Sequence, residues 1–165
     1  MNKIISKEQF SEKVFKLEIE APLIAKSRRA GHFVIIRVDE KGERMPLTIA
    51  GSNLEKGTIT LVVQTVGLSS TKLCNLNEGD YVLDVVGPLG QATHIQNYGT
   101  VVCAGGGVGV APMLPIIQAL KAAGNRVISV LAGRSKDLII LEEEVRASSD
   151  EVIIMTDDCS YGTKG

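Results

Sequence analysis

The sequence predicts an antiparallel β-barrel followed by the first part of an α/β unit with a Rossmann-like parallel sheet. Three observations carry this expectation. Short apolar runs, each closed by Gly, Pro, Asn or Asp, fill the first half of the 165 residues. From Thr100 onward strand-like and helix-like segments alternate. The strands of that second half are continuously apolar, as strands of a covered parallel sheet are. The grammar changes near residues 91–99, so the expected units are 1–95 and 96–165.

Each element has a local reason. In Val14 to Glu20, Phe15, Leu17 and Ile19 alternate with Lys16, Glu18 and Glu20, the period of a half-buried strand. Ala21-Pro22 ends it, because Pro cannot donate to a ladder. Phe33 to Val38 is a second strand, entered from Gly31 and left through Asp39-Glu40-Lys41-Gly42. Pro46 to Ile49 is a short strand closed by Gly51-Ser52-Asn53, and Thr58 to Gln64 is a β-branched strand between Gly57 and Gly67. Ser69 to Leu76 reads as a short helix with Ser69 or Ser70 as N-cap. Tyr81 to Val86 is a strand ending at Gly87-Pro88-Leu89-Gly90. In the second half Val101 to Ala104, Arg126 to Ala132 and Glu151 to Met155 read as strands. Pro112 to Ala123 and Leu138 to Ala147 read as helices, the first ended by Gly124-Asn125.

Composition excludes several function classes. Lys and Arg number 18 against 19 Asp and Glu, so no cationic excess exists to replace phosphate counterions on a nucleic acid. Aromatic residues are 4% with no Trp, too few for base-stacking platforms. No apolar run approaches the roughly 18 residues of a membrane span. Cys74, Cys103 and Cys159 lack pair spacing, which argues against a disulfide framework or thiolate metal site and for a reducing, cytoplasmic setting. No metal-ligand set and no catalytic triad is legible. His32 and His94 sit in no visible triad or ligand pattern, His32 at a strand start reads as structural or cofactor-adjacent rather than catalytic, and Glu142-Glu143-Glu144 reads as a solvated helix face.

The Gly-rich turn Gly105-Gly106-Gly107-Val108-Gly109 lies between a buried strand and a helix. Four glycines in five residues let the backbone turn tightly and approach a ligand, and the helix start offers unpaired N–H groups to a diphosphate. Pro112 suits the first helical turn, where its missing N–H leaves no gap. The spacing is neither a strict G-x-G-x-x-G nor a Walker A motif; a tight turn without ligand is the alternative. The second strand ends at Gly133-Arg134, with no acid for a ribose; Arg134 reads as a phosphate contact, a helix cap or a surface charge. The third ends at Asp157-Asp158, which read either as ribose or nicotinamide-side contacts or as an Asx turn.

Taken in order, Arg44-Met45-Pro46-Leu47-Thr48-Ile49, Gly67-Leu68-Ser69-Ser70, Gly87-Pro88-Leu89-Gly90, Gly105-Gly107-Val108-Gly109 and Ala111-Pro112-Met113 resemble the ferredoxin–NADP reductase superfamily. Gly31-His32-Phe33-Val34 and Thr156-Asp157-Asp158 look most like one branch. It holds the electron-transfer subunit of dihydroorotate dehydrogenase, the small subunit of sulfide dehydrogenase and that of NADH-dependent ferredoxin:NADP oxidoreductase.

The resemblance implies an FAD-binding barrel and an NAD(P)-binding domain. It places Pro46, Leu47 and Thr48 against the flavin and the Gly67, Ser69 and Ser70 turn on the FAD diphosphate. The family's phosphate-binding Arg falls at Met45, one residue after Arg44. A one-residue offset turns a strand side chain to the other face. Arg44 therefore reaches the diphosphate only if the strand starts after it. Gly105, Gly106, Gly107, Gly109, Pro112, Gly133, Arg134, Asp157 and Asp158 are the implied NAD(P) contacts. Cys159 stands where the branch has Gly.

The implied function is a flavoprotein electron-transfer subunit, passing electrons between NAD(P)H, FAD and, in a longer chain, a [2Fe-2S] cluster and a catalytic partner subunit. The cluster cysteines and the rest of the nucleotide domain are expected beyond Gly165. Weak NAD(P) binding and self-association through an uncovered sheet edge are expected of these residues alone. The alternative is a non-catalytic regulatory or assembly module that keeps the fold without flavin.

Overall fold

The computed structural model describes residues 1–165 and divides them into two compact units, Met1–Ala92 and Thr93–Gly165. In the first, β1 (Asn2–Ser11), β2 (Val14–Glu20), β3 (Phe33–Arg37), β4 (Met45–Asn53), β5 (Thr58–Gln64), β6 (Tyr81–Val82) and β7 (Asp84–Leu89) form one sheet of order β6-β1-β2-β5-β4-β3-β7. All its pairings are antiparallel. The two edge strands, β6 and β7, are consecutive in the chain and meet at Leu83. The sheet therefore curls into a nearly closed barrel and exposes little free edge.

Leu17 and Ile19 of β2 point inward and are fully buried with Ile4, Val34, Ile36, Ile49, Ile59 and Leu61. Full burial of each such side chain favours the fold by about 1.5–3 kcal/mol. α1 (Pro22–Ser27) and α2 (Leu68–Asn75) are short helices on this unit. Pro22 both ends β2 and opens α1, because a first-turn residue needs no N–H partner. β4 includes Gly51-Ser52-Asn53 instead of ending before them; a register shift between Ile49 and Gly51 absorbs the extra residue and keeps Ser52 and Asn53 paired with β5.

The second unit has the order β11-β10-β9-β8, all parallel, from β8 (Thr100–Gly106), β9 (Arg126–Gly133), β10 (Glu151–Thr156) and β11 (Thr163–Lys164). Strand order advances in one direction. Right-handed crossovers then put α3 (Val110–Ala122) and α4 (Glu142–Ala147) on the same face. That face holds Val127, Ser129, Leu131 and Ile154, all buried, while Val102 on the opposite face is 65% exposed. α3 ends where Gly124, at φ 86°, caps it.

Two expectations change here. Leu138 to Ala147 is not one helix. A 3-10 turn covers Lys136–Leu138, and α4 starts only at Glu142, after Leu141 at φ 57°. Ile140 and Leu141, 5% and 7% exposed, are buried in the segment between the 3-10 turn and α4. The chain also does not leave the sheet after the third strand, since β11 adds a two-residue parallel fourth. No helix is long and apolar enough to cross a membrane.

Candidate functional site

In the barrel unit the sequence-derived candidates converge on one cleft of about 420 Å³ between β4, the end of β5 and the start of α2. Arg44, Pro46, Leu47, Gly67, Ser69 and Ser70 all line it. β4 begins at Met45, so Arg44 stands before the strand and escapes the face-flipping consequence of its one-residue offset. Its guanidinium Nη1 donates to Asp84 Oδ2 at 3.1 Å, and both side chains remain well exposed. The pleat divides the next three residues. Leu47 packs toward the core with Met45 and Ile49, so Pro46 and Thr48 share the outer face. Thr48 does not border the cleft.

The start of α2 differs from expectation. Gly67, not Ser69 or Ser70, is the N-cap, and Ser70 is the third helical residue. The Ser70 hydroxyl accepts from the backbone N–H of Val66 at 3.0 Å and of Gly67 at 3.1 Å, and donates to the Gly67 carbonyl at 3.0 Å. Ser70 is 5% exposed, so its hydroxyl is engaged by its own turn and only its main chain is left for a ligand. The first N–H groups of an α-helix have no partner within it, and they carry its partial positive charge. A Cβ on Gly67 would meet no atom within 4 Å, so the turn is open to a ligand. Val66 and Leu68, 81% and 79% exposed, give the cleft an apolar lip.

Sequence reasoning missed Glu43. Its Oε2 accepts a hydrogen bond from the Ser69 hydroxyl at 3.0 Å, across the cleft mouth. It also missed Asp84. These partners lie 26 and 40 residues from Ser69 and Arg44, and no local pattern marks such pairs. His32 has a structural part: its Nδ1 accepts from the Arg29 N–H at 3.0 Å, and its carbonyl accepts from Ile49 N–H at 3.1 Å.

In the α/β unit the remaining candidates gather at the C-terminal ends of β8, β9 and β10, the ligand-facing edge of such sheets. Gly105 and Gly106 end β8; Gly107–Gly109 forms a 3-10 turn, and Pro112 is the third residue of α3. The glycines have distinct reasons. A Cβ on Gly105 would lie 3.1 Å from Met113 Cε, so this Gly serves strand-to-helix packing. Gly107, at φ 52°, and Gly109 face open space and leave the backbone approachable. Gly133 packs under Ile139, whose Cδ1 would be 3.0 Å from a Cβ there.

Arg134 is exposed, and its carbonyl accepts from Asp158 N–H at 3.2 Å; the Gly133 carbonyl takes Asp157 N–H at 3.1 Å. Asp158 closes an Asx turn on Ser160 N–H at 2.9 Å, and its bonds to Ser160 hold its carboxyl below the usual aspartate range. Cys159 adopts φ 59°, a conformation in which glycine is unstrained.

Comparison with known proteins fits this geometry. Residues 2–94 match the family of oxidoreductase FAD-binding domains, and the chain belongs to that family. The chain is 47% identical over 165 residues to the electron transfer subunit homolog of dihydroorotate dehydrogenase B (NAD(+)) from Thermotoga maritima. That match covers 100% of this chain and 58% of the relative. It is 32% identical over 168 residues to the corresponding subunit from Streptococcus pneumoniae, covering 99% of this chain and 64% of the relative. A solved NADH-dependent reduced ferredoxin–NADP oxidoreductase, described in connection with flavin-based electron bifurcation, superposes with a TM-score of 0.96. The identity is 45%, covering 100% of this chain and 59% of that one. The chain thus spans about three-fifths of the length of these relatives. The matches place it in the reductase superfamily that its motifs resemble.

Proposed function

We propose that this chain forms the flavin-holding and nucleotide-facing part of an electron-transfer subunit. Electrons pass between NAD(P)H and FAD and, in a longer protein, on to an iron–sulfur cluster and a catalytic partner subunit. One observation carries the reading: six sequence-derived candidates line a single cleft in a unit of the FAD-binding family.

The cleft suits a flavin dinucleotide. The N–H groups at the start of α2 and Arg44 are its polar donors, and Gly67 leaves room for a close approach. Pro46, Leu47, Val66 and Leu68 supply apolar surface for the ring systems. Bound FAD would supply hydride acceptance from NAD(P)H and one-electron release; the protein supplies position and field. Pro46 has no N–H, and its rigid ring presents a flat apolar surface on the outer face of β4. In the α/β unit, the open backbone at Gly107 and Gly109 is the expected diphosphate cradle for NAD(P), with Asp157, Asp158 and Arg134 on the neighbouring loops. A reducing cytoplasmic setting belongs to the same proposal, on the spacing of the cysteines.

The test is direct. Purified chain incubated with FAD and desalted is expected to stay yellow and to release FAD on denaturation, identified by mass. Colourless protein that takes up no FAD would overturn the reading. It would favour a flavin-free regulatory module, in which the Arg44–Asp84 ion pair of 3.1 Å is a permanent partnership.

A further inference from the structure

The charge pattern of the cleft is unusual for an anion site. Of the side chains at its polar end, Arg44 is the cation, and Asp84 pairs with it at 3.1 Å. Glu43, the residue before Arg44, also lines the cleft and is tied to Ser69 Oγ at 3.0 Å. Ser69 is the second residue of α2, so the carboxylate is anchored beside the helix N–H groups that would receive a phosphate. One carboxylate and one guanidinium therefore line this end, and the guanidinium is already paired with Asp84.

We propose that Glu43 is a specificity-determining residue that selects a flavin dinucleotide over a flavin mononucleotide. The inference rests on the flavin reading of the cleft and deepens it. A terminal phosphate monoester concentrates a charge of about −1.5 to −2 on one phosphorus near neutral pH. A diphosphate bridge carries one charge on each phosphorus and spreads them. Glu43 repels the concentrated charge more strongly. The Ser69 contact shows that the carboxylate accepts from a hydroxyl in this position. A dinucleotide brings a second sugar whose hydroxyls offer the same kind of donor; a mononucleotide ends before it. The helix N-terminus attracts both flavins, and Glu43 separates them.

Titration of flavin-free chain with FAD and with FMN, followed by flavin fluorescence at low and at moderate salt, tests this. E43Q keeps shape and removes charge; E43A removes charge and the hydrogen bond. Both variants are expected to improve FMN binding relative to FAD by about fivefold, the size of an exposed charge interaction. The shift should shrink as salt is added, because screening acts on charge and not on shape. A wild-type protein that binds FAD, with an FAD-to-FMN affinity ratio that E43Q leaves unchanged, overturns the role of Glu43 and spares the flavin reading. A ratio shift that ignores salt overturns it as well. Failure of the wild type to bind either flavin overturns both.

Discussion

Ser70 organises the start of α2 from inside. Its one hydroxyl serves the N–H groups of Val66 and Gly67 and the Gly67 carbonyl, all at 3.0–3.1 Å, in a position 5% exposed to water. Replacement by Ala leaves two turn donors without that partner. Ser70→Ala is expected to lower stability by about 0.5–2 kcal/mol, comparable to a lost capping interaction, read as a reduced urea midpoint at unchanged slope. Ser69→Ala, whose hydroxyl contacts only an exposed carboxylate, should fall within about 0.5 kcal/mol of the wild type in the same measurement. The pair separates neighbouring serines that sequence alone treats as equivalent N-cap candidates. Their difference comes from where Gly67 places the cap, which depends on β5 and the turn that follows it.

At the scale of elements, the α4–β10 connection shows how polar contacts pin a parallel sheet. Asp150 accepts from Lys121 Nζ of α3 at 2.6 Å and from the Val127 N–H of β9 at 2.7 Å. The Lys121 bond is the larger cause that holds the Asp150 carboxyl below its usual value, and the Val127 bond adds to it. A folded-state value below the unfolded value of about 3.9 means the contribution is present above that pH. It is lost as pH falls through the folded value. Asp150→Asn is therefore expected to lower Tm at neutral pH, and the gap to the wild type should close as pH falls below the ordinary aspartate range. Melting curves across that range check it, and a gap that widens in acid would contradict the sign.

The same element marks the limit of what the sequence shows. Strand positions were legible because alternation reports burial directly, as in Leu17 and Ile19. The break at Leu141 was not, because a leucine at φ 57° carries no local signal and helix propensity favours continuity. In the cleft, Arg44, Pro46, Leu47 and the Gly67 turn were readable as local motifs. Glu43 and Asp84 were not, since their partners arrive through the barrel's fold.

At the scale of the molecule, the two units have separate cores. The buried cluster of Ile4, Leu17, Ile19, Val34, Ile49 and Leu61 lies wholly within Met1–Ala92. Ile117, Val127, Leu131, Val145 and Ile154 are buried within Thr93–Gly165. Two separate cores are the arrangement in which two-state unfolding commonly breaks down. A ligand that binds one unit stabilises that unit by mass action, about 2.7 kcal/mol at a hundredfold excess over its Kd. For a domain of this size that corresponds to a rise of roughly 10–20 °C in Tm, at about 4–8 °C per kcal/mol. Calorimetry of the chain is expected to resolve two transitions, with FAD moving one and leaving the other in place. Limited proteolysis between the two transitions should identify the protected fragment as the barrel, bounded near Ala92. Protection of the α/β fragment instead would place the flavin outside the cleft of Arg44 and Ser69. A single transition in place of two would contradict the expectation that the units unfold separately.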